Sequence, residues 1–131
     1  MKRAFILLAT VAVAALAVVA YADQAAMKKN PVKTLTGEVI DTGCYLGHGA
    51  HGAKHVECAT KCIADGMPMG LLTKDGTLYL LTLNHDNADP YNKLKEMAGQ
   101  TVSVTGEVMT RSGMKGIDVT EVKPAAEAAA K

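Results

Sequence analysis

Five short segments with strand signals constrain the fold of this chain more than any other feature of the sequence, and two of them, 34–41 and 101–109, alternate apolar and polar residues. The segments are residues 34–41, 69–73, 77–83, 101–109 and 117–122. Alternation with a period of two is typical of strands that bury one face, and Asp75-Gly76 predicts a tight hairpin between the second and third strands. The chain is too short to build two full sheets from such strands. We therefore predict a mainly β domain, a small five-stranded barrel.

Two stretches between these strands carry helix signals. Residues 89–99 begin with Asp-Pro and end in Gly, which predicts a short helix before the fourth strand. Residues 53–65 contain good helix formers and are followed by Gly66, a typical C-terminal cap, so we predict a second helix between the first and second strands. The motif Thr-Gly-Glu-Val at 36–39 and 105–108 predicts two bends, at which glycine lets a coiled strand turn a corner.

The N-terminal segment has the pattern of a secretory signal peptide. Lys2 and Arg3 precede an apolar run that reaches residue 20, and Ala20-Tyr21-Ala22 is a small-residue cleavage site. The predicted organisation is a signal peptide at 1–22, a flexible lead-in at 23–32, the β domain at 33–123, and a disordered or weakly helical tail at 124–131. We expect a periplasmic or secreted protein with no stable membrane insertion after cleavage.

Composition argues against several classes of function. The 131 residues contain 14 basic and 13 acidic side chains, so the chain has no excess of positive charge for nucleic acid. Without the predicted leader it also has no Phe or Trp with which to stack bases. The sequence contains no phosphate-binding glycine loop, no catalytic carboxylate pair and no Ser/His/Asp signature. We therefore expect a binding protein, with no nucleic-acid partner and no enzymatic turnover.

Nearly all cysteine and histidine residues of the predicted mature chain lie in one short stretch. The stretch contains Cys44, His48, His51, His55, Cys58 and Cys62. At about 100° per residue, His55, Cys58 and Cys62 fall on one stripe of the predicted helix. Cys44 and His48 are expected on the loop that leaves the first strand, from which they would close over this stripe.

This clustering predicts a transition-metal site. The candidate ligands are Cys44, His48, His55, Cys58 and Cys62, with His51, Met67 and Met69 as secondary candidates. Zinc would be held by the three thiolates and one imidazole, from His48 or His55. Copper(I) also accepts thiolate and imidazole, and the thioethers of Met67 and Met69 lie nearby in sequence. The metal ion is thus the expected ligand, and another periplasmic metal-handling protein is a possible partner.

Two other interpretations of the cysteines remain open from the sequence. One disulfide from Cys44 to Cys58 or Cys62 would staple the loop to the helix and leave a binding module of unknown ligand. Alternatively, Cys44 is a reactive thiol with His48 or His55 as its base and a second cysteine as its resolving partner. The spacing is not Cys-x-x-Cys, so a thioredoxin-type redox motif is absent.

The order of these motifs resembles a known group of proteins. The first strand contains Thr-Gly-Glu-Val-Ile-Asp at 36–41, and the fourth contains Val-Ser-Val-Thr-Gly-Glu-Val at 102–108. Between them come a cysteine after the first strand, downstream histidines, and Cys-x-x-x-Cys-Ile-x-x-Gly at 58–66. This order is similar to that of small exported bacterial OB-fold proteins of uncharacterised function. The resemblance implies an OB-like fold and no particular activity.

Overall fold

Five strands in one mixed sheet form the framework of the described part of the chain. The computed structural model describes residues 29–125. The strands are β1 (Val32–Asp41), β2 (Met69–Thr73), β3 (Leu78–Leu83), β4 (Thr101–Arg111) and β5 (Met114–Pro124). The prediction of a mainly β chain with five strands is confirmed, because each predicted segment overlaps one strand.

Three α-helices lie between the strands. They are α1 (Thr42–His48), α2 (Val56–Ala64) and α3 (Asp89–Leu94). One 3-10 turn, Ala53–His55, leads into α2, and another, Lys95–Met97, continues α3. Both predicted helices are therefore present, one between β1 and β2 and one before β4.

The first helix corrects the sequence analysis, which placed a loop directly after β1. Asp41 is the N-terminal cap of α1, and its side chain accepts a hydrogen bond from the backbone N–H of Cys44. Gly49, with φ of 71°, is the C-terminal cap. Asp and Gly favour these two cap positions, and together they stabilise a helix of seven residues whose own glycines do not favour one.

The strands pair in the order β1-β2-β3-β5-β4, and β4 returns to pair with β1, so the sheet closes into a ring. Only β3 and β5 run parallel; the other pairs are antiparallel. β1 is shared, since its first part pairs with β4 and its last part with β2. Asp41 ends this shared strand, so α1 starts at a rigid point of the sheet.

The hydrophobic core fills the ring and extends under the helices. Strand residues with no exposed surface include Val39, Leu71, Val102, Val104, Ile117 and Val119. Ala59 and Ile63 of α2 are buried in the same cluster. Val56, at the edge of this side, is exposed and packs against Gly99. Because one side of α2 packs against the core, the helix has a fixed rotation about its own axis. This rotation sets the direction in which Cys58 and Cys62 point.

Several sequence predictions fall outside the described residues. These are the signal peptide at 1–22, the lead-in up to residue 28, and the tail from residue 126. The described end of the lead-in joins the sheet, because the carbonyl of Pro31 accepts a hydrogen bond from the N–H of Val108 at 2.9 Å. Between residues 29 and 125, the helices are all too short or too polar to cross a membrane.

Gly37 and Gly106, the glycines of the repeated motif, lie where neighbouring strands come unusually close. A Cβ atom on Gly37 would lie 2.6 Å from the carbonyl oxygen of Leu72, and one on Gly106 would overlap the carbonyl oxygen of Asp118. The pairing of β4 with β5 also shifts register between Thr105 and Gly106. Both positions therefore need glycine for space, and the irregularity at Gly106 agrees with the predicted bend.

Replacing Gly106 by alanine is expected to destabilise the domain, because the methyl group meets backbone and not a flexible side chain. We expect the free energy of unfolding to fall by about 1–3 kcal/mol, the usual cost of overpacking. Gly47→Ala is the matched control, since nothing lies within 4 Å of a Cβ there and the residue is helical. Urea denaturation of both variants tests this. Equal midpoints for the two would show that the close approach at Gly106 does not matter.

Candidate metal centre

Cys44 is held next to the end of β1 by a buried carboxylate. It lies in the first turn of α1, where its backbone N–H donates to Oδ1 of Asp41 at 2.8 Å. The Asp41 side chain has no exposed surface, whereas Cys44 is half-buried. The sequence analysis expected Cys44 on a loop. Its place on a capped helix instead gives the thiol a fixed position relative to the sheet.

Three further donors come from the start and the outer side of α2. His55 ends the 3-10 turn that leads into the helix, and Cys58 and Cys62 follow one turn apart. Since Ala59 and Ile63 are buried in the core, the two cysteines lie beside the buried side of the helix. Cys58 is exposed and Cys62 is half-buried. Of the predicted stripe, Cys58 and Cys62 lie on α2, whereas His55 lies in the 3-10 turn before it.

Two groups of potential ligand atoms form where α1 meets α2. Cys44, His55 and Cys58 form an outer triad, and Asp41, Cys44 and Cys62 form an inner triad. In each triad the ligand atoms lie within 4.8 Å of one another. Sulfur atoms bound to one zinc ion at about 2.3 Å lie about 3.8 Å apart, so small side-chain rotations would close either set around an ion. Cys44 belongs to both triads and is the centre of the cluster.

Asp41 is the main residue of this site that sequence reasoning missed. Its Oδ2 lies 3.1 Å from Nε2 of His55, while its Oδ1 accepts from Cys44. Burial raises the pKa of this carboxyl, but the hydrogen bonds from Cys44 and His55 outweigh burial and leave the pKa below its usual value. An ionised carboxylate only accepts hydrogen bonds, so His55 donates from Nε2 and its Nδ1 is left for an ion. Histidine ligands of metals typically donate to a carboxylate in this way.

The surroundings of Cys44 and Cys62 favour the protonated thiol when no ion is present. Burial, the nearby Asp41 carboxylate and the other two cysteines together raise the pKa of Cys44 to about 12, with burial as the largest cause. The pKa of Cys62 is also raised, first by burial and then by Cys58. Reactive cysteines have lowered pKa values, so these shifts disfavour Cys44 as a nucleophile. An ion that binds here must displace protons.

All three cysteines are free in the structure. The disulfide interpretation requires Cys44 to pair with Cys58 or Cys62, and neither pair is formed in the structure. Cys58 is exposed, and Cys44 and Cys62 are each half-buried. In the structure the Cys44 thiol lies close to that of Cys58 in the outer triad and to that of Cys62 in the inner triad.

Glu38 of β1 holds the loop that joins the two helices. Its Oε1 accepts a hydrogen bond from the backbone N–H of Gly52 at 2.5 Å, and its Oε2 lies 3.6 Å from Nδ1 of His51. The His51 ring also packs edge-on against Tyr45, with centroids 6.1 Å apart. His51 is thereby directed toward Glu38 and is in neither triad of the described residues.

The remaining candidate ligands lie around the cluster. The His48 ring contacts the His55 ring edge-on at 6.4 Å between centroids, but His48 is in neither described triad. Met67 is 39 % exposed and its sulfur packs against Gly43, the residue before Cys44. Met69 is 1 % exposed and belongs to the core. Of these three side chains, His48 and Met67 are accessible at the edge of the site.

Comparisons with known proteins do not assign this site. The chain matches no protein-family model, no curated protein and no solved structure. The function must therefore be inferred from the side chains. Thiols and an imidazole lie close enough together to hold a metal ion, and a buried carboxylate orients the imidazole.

Proposed function

We propose that this protein is a small exported metal-binding protein that holds one copper(I) or zinc ion at the cluster formed by Cys44, His55, Cys58 and Cys62. The observation that carries the proposal is the pair of overlapping triads that share Cys44. Thiolate and imidazole are the ligands that zinc and copper(I) prefer. The role is to hold or pass on the ion, or to stabilise the domain with it, and not to turn over a substrate.

The hydrogen bond between Asp41 and His55 supports a metal site over a chance cluster. A half-buried histidine needs only one hydrogen-bond partner from the protein, and a solvated histidine needs none. Here a carboxylate with no exposed surface orients both His55 and the turn that bears Cys44. Burying a carboxylate is costly unless it is hydrogen-bonded, and both hydrogen bonds of Asp41 go to residues that would bind one ion.

The proposal includes an OB-like barrel as the scaffold. β4 lies beside β1, followed by β2 and β3, which is the strand order of a Greek key. β5 then closes the ring between β3 and β4. A five-stranded Greek-key barrel is the defining feature of the OB-fold, and the motif order of the sequence resembles exported OB-fold proteins. In this scaffold the metal cluster occupies the connection from β1 to β2.

Export is supported by the signal-peptide pattern of the first 22 residues. Thiols in an oxidising compartment tend to form disulfides, and an odd number leaves one unpaired. A bound ion removes this difficulty, because thiolates that are coordinated are protected from oxidation as long as the site is occupied. The three cysteines and the proposed location are thus compatible.

His55→Ala tests the proposed function, with His85→Ala as the matched control, because His85 is an exposed histidine in neither triad of the described residues. We expect the affinity for zinc and for copper(I) to fall at least about 10-fold in the first variant, since even residues that only support a ligand are worth 10–100-fold. The second variant should bind as the unaltered protein does. The measurement is an anaerobic competition titration against a chromogenic chelator. Equal affinities for the two variants would remove His55 from the site.

A further inference from the structure

Resting on the proposed function, we infer that copper(I) is an exchangeable cargo of this protein, held by the outer triad of Cys44, His55 and Cys58 and passed to or from an exported partner by ligand exchange at Cys58. The partner is identified by its chemistry: it presents an exposed thiolate or thioether. Copper(I) thus has three ligands and exchanges at Cys58, and Cys62 lies outside its coordination.

The two triads differ in the chemistry of their ligand atoms. The outer triad offers two sulfurs and one nitrogen, and all three suit copper(I), which is stable with three soft ligands. The inner triad includes a carboxylate of Asp41, a hard ligand whose two oxygens already accept from Cys44 and His55. Zinc requires a fourth ligand to complete a tetrahedron, so the three residues of the outer triad do not satisfy zinc by themselves. The same three residues are sufficient for copper(I).

The outer triad is more exposed to solvent than the inner triad. Cys58 is exposed, while Cys44 and Cys62 are half-buried and the His55 side chain is 16 % exposed. A structural zinc site is closed by four protein ligands and is slow to give up its ion. An ion in the outer triad would instead have its least buried ligand on the solvent side. An incoming donor can therefore reach the ion from the side of Cys58 without opening the core.

The exchange itself is a ligand substitution with no change of oxidation state. The partner's thiol loses its proton as its sulfur binds copper, and the bond from copper to Sγ of Cys58 then breaks. The thiolate of Cys58 takes up one proton, so charge and protons balance. If the donor is a thioether, the Cys58 thiolate takes its proton from water. Cys44 and His55 hold the ion until the partner has supplied its remaining ligands.

The test uses the full chain as purified from the cell, loaded anaerobically with copper(I) and mixed with the copper(I) chelator bicinchoninate as the probe. We compare Cys58→Ser with Cys62→Ser, which makes the same substitution one helical turn away. His85→Ala, at an exposed histidine in neither triad of the described residues, should bind copper(I) as the unaltered protein does. Cys58→Ser should bind copper(I) at least about 10-fold more weakly than Cys62→Ser, which removes a ligand of the inner triad only. The transfer rate should rise in proportion to chelator concentration. Circular dichroism verifies that the variants fold.

Two results would overturn the inference and leave the proposed function in place. A transfer rate that does not depend on chelator concentration would show that the ion must first leave a closed site. Copper(I) binding weakened as much by Cys62→Ser as by Cys58→Ser would show that all three thiols bind the ion. A protein that binds neither copper(I) nor zinc would overturn the inference and the proposed function together.

Discussion

Replacing Cys44 by serine is expected to abolish stoichiometric binding of both copper(I) and zinc. Cys44 is the residue that the outer and inner triads share, so any ion placed between α1 and α2 loses a ligand in either position. Removing a residue that merely supports a ligand weakens metal binding by about 10–100-fold, so loss of the central ligand itself should exceed about 100-fold. Competition titrations with zinc and copper(I) chelators measure the effect.

His48→Ala is the control for this variant because it lies on the same short helix and is exposed. It alters α1 but removes no member of the described triads, so we expect its affinity for either ion to stay within about 3-fold of the unaltered protein. If Cys44→Ser still held one ion per chain, the cluster would not be centred on this thiol. If His48→Ala lost the ion as well, His48 would be a ligand that swings in on binding.

Replacing Asp41 by alanine is expected to have the largest effect on the stability of the ion-free protein. The substitution removes the N-terminal cap of α1, worth about 1 kcal/mol, and the hydrogen bond of His55 to a buried charged acceptor, worth about 1.5–3 kcal/mol. A total of about 2–4 kcal/mol in a domain of this size lowers the unfolding midpoint by roughly 10–30 °C. Thermal unfolding in the presence of a chelator measures this change.

Asp41→Asn separates the two roles of this residue. Asparagine is a good N-cap, so the variant should regain part of the stability that Asp41→Ala loses. It has no negative charge to hold the Nε2–H tautomer of His55, so its metal affinity should remain about 10–100-fold below that of the unaltered protein. Metal binding by Asp41→Asn equal to that of the unaltered protein would mean that Asp41 only caps the helix.

Strands and the main helix could be predicted because their signals are local. Alternation along 34–41 and 101–109 depends on the neighbouring residues alone, and the spacing of Cys58 and Cys62 follows from the helical period. The short helix α1 could not be predicted in the same way. Gly43 and Gly47 are poor helix formers, and the helix depends on the buried Asp41 cap, whose position is fixed by the pairing of β1 within the ring.

The same limit applies to the site. The grouping of His55, Cys58 and Cys62 follows from periodicity, and their meeting with Cys44 follows from the short connection between α1 and α2. Asp41 and Glu38 look like ordinary polar residues of an alternating strand, and only the tertiary structure turns their carboxylates toward the helices. The N-cap pattern of Asp41, three residues before Cys44, is the one sequence signal that pointed to its role.

The metal content of the protein, isolated anaerobically and without added metal, tests the central claim most directly. Elemental mass spectrometry, combined with thiol counting after denaturation with a chelator, measures the bound ions and the free cysteines in one preparation. Coordination by the Cys44 cluster predicts one copper or zinc ion per chain and three free thiols. A preparation with no metal, one disulfide and one free thiol would contradict it.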